Sequence, residues 1–470
     1  MNVIIVGCGK VGHTIAKYLS VENHSITIID KKAEVFDKVT ESLDVMTLRG
    51  NALSARVLLE AGAKESDLIV CVAGNDETNI LCALTAKRLG VRLTAARIRD
   101  PEYAVELMKF KSDLGLDLII NPEQQAAFEI SRLIRFPTAK DIMTFVGGRV
   151  EIVAFDLAEG SPLDGRLISQ IFAKIKIPVL LVTVERGGRV AVPHGDMELR
   201  RGDILRIAGA ADDIMDFFRH IGIFNEKIRD IMVIGGGKIT RYFCNFMARF
   251  SARLRIIEID EERCQQLSEA LPSALIIHGD GTDESVLESE HMGEMGAVVC
   301  LTDRDEENVI IAMYGKQQGV GKVVVKINHI NADIVKKLNL GSVICPKLIT
   351  SYNIIQFVRG MTVSKRSGSF RAMHKIVDKE TAFWRGNNRA KTPGVDDLDI
   401  EALEFEVSES SKCLNIRLKD LPMKKEVLIC CVVRNGNVII PGGETEIHRG
   451  DNVIVITGGA QIEEFDDILK

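Results

Sequence analysis

Three glycines at positions 7, 9 and 12, in the opening stretch MNVIIVGCGKVGHTIAKYLS, have the spacing of a phosphate-binding turn. An apolar strand-like run precedes them and a helical pattern follows, so the turn joins strand to helix. The chemistry of such a turn is done by the main chain. Gly7 permits the tight bend, Gly9 lets N–H groups approach a pyrophosphate, and Gly12 lets the helix pack close to the sheet. Phosphates then meet the positive end of the helix. Asp30 ends the next apolar strand, 18 residues after Gly12. An acid there accepts hydrogen bonds from ribose hydroxyls and repels a 2′-phosphate, which favours NAD(H) or another adenine nucleotide over NADP(H).

The device returns about 228 residues later in DIMVIGGGKITRYFCNFMAR. Gly235, Gly236, Gly237, Lys238 and Ile239 repeat the turn, but Thr240 stands where Gly12 stood. That side chain is expected to push helix and sheet apart or to demand a compensating small partner. Glu258 replaces Asp30 and keeps its acceptor role. The alternative for this copy is a degenerate turn retained for assembly. In a doubly wound sheet, loops at the carboxyl ends of the strands line the crevice. Asn51, Ala73, Gly74, Asn75 and Arg97 therefore join the first site, and Asp280, Leu301, Thr302, Asp303 and Lys326 the second. Arg97 and Lys326 are placed to balance phosphate charge, the bland alternative being two solvated strand ends.

The positioning elements repeat with the turns. Val/Ile-rich strands (NVIIV, SITIID, DVMTL, DLIVCV, RLTAARI, LDLII) alternate with helical stretches, and DIMVI, LRIIE, ALIIH, AVVCL, KVVVKI and GSVIC follow in the same order. Such runs indicate a parallel sheet covered on both faces. Each unit is followed by alternating strands around a tight turn, Arg186-Gly187-Gly188 or Arg434-Asn435-Gly436-Asn437, then Arg-Gly-Asp and a last apolar strand. The triplets, at 201–203 and 449–451, read as turns and not as adhesion motifs. The expected class is α/β: two Rossmann-like doubly wound parallel-sheet domains, each followed by a small α+β domain with an antiparallel sheet. The expected boundaries are 1–124, 140–224, 228–348 and 386–470, with 364–397 the least patterned stretch.

Composition narrows the classes. A net charge of −6 argues against a nucleic-acid surface, and no partner of that kind is expected. No run approaches 18 apolar residues and no cationic leader precedes the first strand, so neither a membrane span nor an export signal is expected. Ten cysteines without a CxxC read as buried free thiols, with no metal site. Cys430 and Cys431, adjacent on a strand, should face opposite sides. No histidine among the nine recurs at matching positions with a carboxylate partner, so no catalytic group is assigned and no enzyme is expected. An NAD-dependent oxidoreductase is the rival reading.

A dinucleotide fold carrying GCGKVG and Asp30, then a small domain with SPLDGRLISQ and Arg-Gly-Asp, then both again, resembles the tandem RCK (or KTN) regulatory subunits of Trk/Ktr-type potassium uptake systems. The resemblance covers essentially the full chain. It implies two RCK N-terminal and two RCK C-terminal domains, NAD or NADH as ligand, and ATP or ADP as further ligands. It implies a homo-oligomeric ring on the cytoplasmic face of a membrane-embedded potassium-translocating partner of the TrkH or TrkG kind. Carried over by position, its sites would use Gly7 to Val11, Asp30, Ala73, Gly74 and Arg97, and Gly235 to Ile239, Glu258, Leu301 and Lys326. A regulator of another cation transporter or antiporter is the neighbouring alternative.

Overall fold

A computed structural model describes residues 1–22, 24–187, 189–223, 228–328, 341–364, 370–375, 400–424, 427–458, 462 and 464–470. The chain divides into two compact units, residues 1–134 with 228–355, and residues 135–227 with 356–470. The first unit holds both glycine turns, the second both Arg-Gly-Asp turns.

The first unit contains two six-stranded parallel sheets. One is built from β1 (Asn2–Val6), β2 (Ser25–Asp30), β3 (Met46–Arg49), β4 (Leu68–Cys71), β5 (Leu93–Arg97) and β6 (Leu118–Ile120), in the order β3-β2-β1-β4-β5-β6. Helices α1 (Lys10–Val21), α2 (Asp37–Thr40), α3 (Ala55–Glu60), α4 (Asp76–Leu89), α5 (Pro101–Lys109), α6 (Lys111–Leu114) and α7 (Pro122–Arg135) connect and follow these strands. β4 is buried at every residue and β1 at all but its first, as strands covered on both faces must be. Strand order reverses between β1 and β4, which opens a crevice at their carboxyl ends.

The second sheet repeats this after residues 141–209, which belong to the other unit. Its strands are β12 (Asp230–Ile234), β13 (Arg253–Glu258), β14 (Ala274–His278), β15 (Ala297–Cys300), β16 (Lys322–Lys326) and β17 (Ser342–Ile344), in the matching order β14-β13-β12-β15-β16-β17. Its described helices are α10 (Lys238–Met247), α11 (Glu261–Ala270), α12 (Glu284–Ser289), α13 (Asp305–Gln317) and α14 (Pro346–Ser364).

The two copies exchange their last helices. Ala126, Ala127, Ile130 and Ile134 of α7 are buried with Ile239, Phe243 and Met247 of the second copy, and Phe128 meets Phe246 edge-on at 5.6 Å. In return, the Ser351 hydroxyl of α14 donates to the Val11 carbonyl of α1 at 3.4 Å. Asn353 of α14 also donates its side-chain amide to Gln125 of α7. Ile130→Val, which trims one methylene from this seam, is expected to lower unfolding free energy by about 0.5–1.5 kcal/mol, measured by urea titration. A change below the error of that titration would mean the seam is loosely filled.

The second unit contains two five-stranded antiparallel sheets. The first joins β7 (Asp141–Phe145), β8 (Val150–Asp156), β9 (Val179–Arg186), β10 (Arg189–Ala191) and β11 (Ile204–Gly209), with α8 (Ile168–Lys174) and α9 (Ala211–His220). The second joins β18 (Phe370–Lys375), β19 (Ile400–Glu406), β20 (Val427–Arg434), β21 (Asn437–Ile439) and β22 (Asn452–Gly458). One apolar cluster takes residues from both sheets, among them Phe145, Ile152 and Val182 with Ala402, Ile454 and Ile456.

Each Arg-Gly-Asp is a turn, with Gly202 at φ +84° and Gly450 at φ +78°. Its aspartate points inward. Asp203 receives Arg186 through two bonds of 2.7 Å, and Asp451 receives Arg434 at 2.9 and 2.7 Å. Both aspartates are buried, which is incompatible with presenting the triplet to a receptor.

Cys430 and Cys431 depart from the expected alternation. The pairing of β20 with β22 shifts register between Ile429 and Cys431. This bulge turns both thiols into the same apolar cluster, with sulfurs 3.8 Å apart. All ten cysteines are buried and none is in a disulfide. Of the poorly patterned stretch 364–397, only residue 364 and residues 370–375 are described, and the expected domain start at 386 lies outside the described residues. Among the described residues no helix is long and apolar enough to cross a membrane.

Candidate functional site

The first turn has the backbone that its glycines predict. Gly7 sits at φ +98°, and a Cβ there would lie 2.9 Å from the Ala73 backbone. A Cβ on Gly12 would come within 2.0 Å of the Gly7 carbonyl oxygen, so close packing of helix on turn requires glycine. Gly9 is the N-cap of α1 at φ −72°, ψ −173°, with no side-chain cap. A Cβ on Gly9 would meet nothing within 4 Å. The first intrahelical bond is His13 N–H to the Gly9 carbonyl, which leaves the preceding amides without helical partners.

Asp30 braces this cradle. Its Oδ2 accepts the Cys8 N–H at 2.7 Å and its Oδ1 the Lys32 N–H at 3.0 Å. Each oxygen keeps a second lone pair for a ribose hydroxyl. Burial, helped by the Asp30 charge, pushes the Cys8 thiol up to about 11, so it is a neutral wall at neutral pH.

The far wall hangs on Asn79, a residue that sequence reasoning passed over. Fully buried, it accepts the Ala73 N–H at 2.8 Å and donates to the carbonyls of Ala73 at 3.1 Å and Arg97 at 2.9 Å. One side chain thus ties the ends of β4 and β5 together. Arg97 is no solvated strand end. Its Nη2 donates to the Ala73 carbonyl at 2.6 Å, while its Nε is buried with no hydrogen-bond partner. Burial and then the charge of Arg99 weaken its hold on its proton. Gly74 has open space where a Cβ would stand, and Asn51 closes a turn by accepting the Leu53 N–H at 3.2 Å.

The second turn reproduces the first within a few degrees. Gly235 is at φ +99°, and Gly237 caps α10 at φ −74°, ψ −171°, again without a side-chain cap. Glu258 reaches the Gly236 N–H with Oε2 at 2.7 Å and the Asp260 N–H with Oε1 at 3.0 Å. The extra methylene of Glu258 and the missing side chain at 236 belong together. A Cβ on Gly236 would lie 2.3 Å from Leu267 Cδ1 and 3.0 Å from Glu258 Oε2.

Thr240 corrects the expectation drawn from its bulk. Fully buried, it neither breaks the turn nor calls for a small partner, because its hydroxyl donates to the Gly235 carbonyl at 2.5 Å. The Gly7 carbonyl, the equivalent acceptor, is the atom a side chain at position 12 would strike.

Asn308 does in this copy what Asn79 does in the first, accepting the Thr302 N–H at 2.9 Å and donating to the carbonyls of Thr302 and Lys326, each at 3.0 Å. Thr302 is therefore the counterpart of Ala73, and Leu301, one place earlier, is a buried wall. Lys326 is buried, with its ammonium 2.9 Å from Asp303 Oδ1, and that bond holds the Asp303 carboxyl below the usual range. Asp280 accepts both the N–H and the hydroxyl of Thr282, which hold its carboxyl low as well.

Every second-copy position singled out from the sequence lines one cavity of about 850 Å³. That volume is within the range of small-molecule sites. Two further lining residues, Arg99 and Glu123, come from the first copy and carry no signal in the second copy's own sequence. Arg263 of α11, 3.6 Å from Glu258, was also missed. The Asn79/Asn308 pair was findable, since it stands at one offset in both repeats.

The residues present fit a nucleotide. Two uncapped helix starts, open space at Gly9 and Gly237, a carboxylate beside each turn, and an orphaned guanidinium nitrogen on Arg97 are complementary to a diphosphate and its ribose. Among the described residues, no group of three or more His, Cys, Asp or Glu is disposed to hold a metal ion.

Comparison with known proteins agrees with this architecture. The TrkA-N domain family matches residues 3–122 and 231–346, and the TrkA-C domain family residues 152–222 and 402–470. A Trk system potassium uptake protein TrkA homolog of Archaeoglobus fulgidus is 30% identical over 472 residues, covering 100% of both chains. The Trk system potassium uptake protein TrkA of Halomonas elongata is 28% identical over 461 residues, covering 97% of this chain and 95% of that one. Among solved structures, the GsuK RCK domain has a TM-score of 0.60 at 14% identity, covering 97% of this chain and 92% of its own. The GsuK channel bound to NAD has a TM-score of 0.59 at 16% identity, covering 99% and 78%. These two share the fold.

Proposed function

The chain belongs to the TrkA family, and on that premise we propose that it is the nucleotide-sensing regulatory subunit of a potassium uptake system. The observation that carries this reading is the pair of uncapped, glycine-lined helix starts with matching backbone angles, each braced by an acid from the neighbouring strand. In this reading the domains are 1–124, 140–224, 228–348 and 386–470. Copies assemble into a ring on the cytoplasmic face of a membrane-embedded potassium-translocating subunit of the TrkH or TrkG kind, and the chain catalyses nothing.

The amides at the start of α1 and α10 would hold the phosphates of NAD(H), or of ATP or ADP. Asp30 and Glu258 would orient a ribose while keeping the turn in shape. Gly74 leaves room for the ligand, and Arg97 and Lys326 would balance its charge, Lys326 by exchanging Asp303. A bound nucleotide supplies negative charge and contacts that differ between open and closed forms. A ligand shifts a conformational equilibrium only by that difference in affinity. Asn79 and Asn308 pass the wall movement to β5 and β16, and from there into the sheets.

Equilibrium binding tests the assignment. Asp30→Ala removes the acceptor for both Cys8 N–H and ribose, and is expected to weaken NADH at the first site roughly 10- to 100-fold. Glu258→Ala is expected to weaken direct binding at the second site and to remove no contact from the first. Unchanged NADH affinity in Asp30→Ala would remove the site from the position assigned to it. Sustained loss of 340 nm absorbance with NADH and a carbonyl substrate would favour the oxidoreductase reading instead.

A further inference from the structure

We propose that the two crevices of one chain antagonise each other, because each borrows part of its wall from the other copy. This rests on the nucleotide reading above and concerns how the two sites regulate one another.

The shared wall is the outgoing end of β5. Arg97 faces the first crevice, where its Nη2 holds the Ala73 carbonyl. Two residues on, Arg99 lines the cavity of the second crevice, together with Glu123, to which it is bonded at 2.7 Å. The segment between is clamped to the first copy. Asn79 holds the Arg97 carbonyl, and Asp76 Oδ2 accepts the N–H groups of Arg99 and Asp100, each at 2.8 Å. Asp76 and Asn79 both lie in the opening turn of α4, directly after Gly74 and Asn75 of the first crevice.

The arrangement is reciprocal. Asn308 holds the Lys326 carbonyl in the second crevice, and Asp305 accepts the Asn328 N–H at 2.8 Å. The carbonyl of that same Asn328 receives the Lys10 ammonium, from the first glycine turn, at 3.1 Å. On the other side Lys238, the counterpart of Lys10, lies 3.7 Å from Asp100.

Two consequences point the same way. A strand end drawn toward a ligand in one crevice is drawn away from the other. A guanidinium at Arg99 that is satisfied by an anion in the second crevice also adds less positive potential at Arg97, in the first. Filling either site should therefore weaken the other, and by linkage the factor is the same in both directions.

The test uses the full chain, NADH fluorescence and ADP. The NADH binding event at the first site is identified by its loss in Gly9→Val. Gly237→Val closes the second cradle, so ADP then displaces NADH only by competition within the first. In the wild-type chain, ADP at a concentration that displaces little NADH from Gly237→Val is expected to weaken first-site NADH binding at least about 5-fold more than it does in Gly237→Val. Arg99→Ala is expected to cut that excess to under about 2-fold. Equal displacement in wild type and Gly237→Val, or tighter NADH binding with ADP in the wild type, overturns the coupling while the nucleotide reading stands. Failure of NADH to bind any of these chains overturns both.

Discussion

Gly9→Val abolishes NADH binding at the first site and leaves the fold intact. Gly9 lies at φ −72°, ψ −173°, an extended conformation open to any residue, and its Cβ direction meets no atom within 4 Å. The valine Cβ therefore meets no neighbour in the protein itself, and the cost at an N-cap is about 1 kcal/mol or less. The space it fills is the space before the unpartnered amides of α1, where a diphosphate would sit. Losing two charge-assisted bonds of about 1.5–3 kcal/mol each corresponds to a weakening of at least about 100-fold. Titration calorimetry beside a thermal melt reads both halves of the expectation. Gly7→Val is the contrasting control, since at φ +98° and 2.9 Å from the Ala73 backbone it should damage the fold itself. NADH affinity in Gly9→Val within threefold of wild type would show that the ligand sits elsewhere.

Asp451→Ala destabilises the second unit by about 3 kcal/mol, at the lower edge of the range of 3–5 for breaking a buried ion pair. The lower edge applies because the Arg434 side chain keeps 27% of its surface, while that of Asp451 keeps 1%. The carboxylate accepts two bonds from Arg434 and the His448 N–H at 2.8 Å, so three donors lose their acceptor together. Asp203→Ala, which strips Arg186 and the Arg200 N–H in the same way, should cost less, because the Arg186 side chain keeps 42% of its surface. Urea denaturation of each variant measures the loss. A value below about 1 kcal/mol would place these pairs with ordinary surface salt bridges and remove them as the anchors of the last strands.

Much of this was legible in the residues. Continuous Val/Ile-rich apolar runs marked twelve parallel strands in their right order, and the glycine spacing marked both turns. Asp30 and Glu258 could be paired because each ends the second strand of its repeat. Asn79 and Asn308 could have been found the same way, but a buried amide that bonds only to backbone looks in sequence like any helix-opening asparagine. Thr240 was misjudged because its bulk is visible in the sequence and its hydrogen bond to Gly235 is not. Cys430 and Cys431 were placed on opposite faces because a bulge depends on the partner strand's register.

The sequence by itself determined the repeats, the fold class and the main-chain chemistry of the two cradles, because those depend on residues close together along the chain. Helix and strand periodicity, positive φ at Gly7 and Gly235, and the reach of an acid at a strand end are local properties. Only the tertiary structure decided what closes each crevice. Arg99 and Glu123 enter the second cavity, and Asn328 meets Lys10, because the two sheets pack with their last helices exchanged. Contacts between segments more than 100 residues apart are set by the complementarity of whole surfaces, which no window of sequence contains.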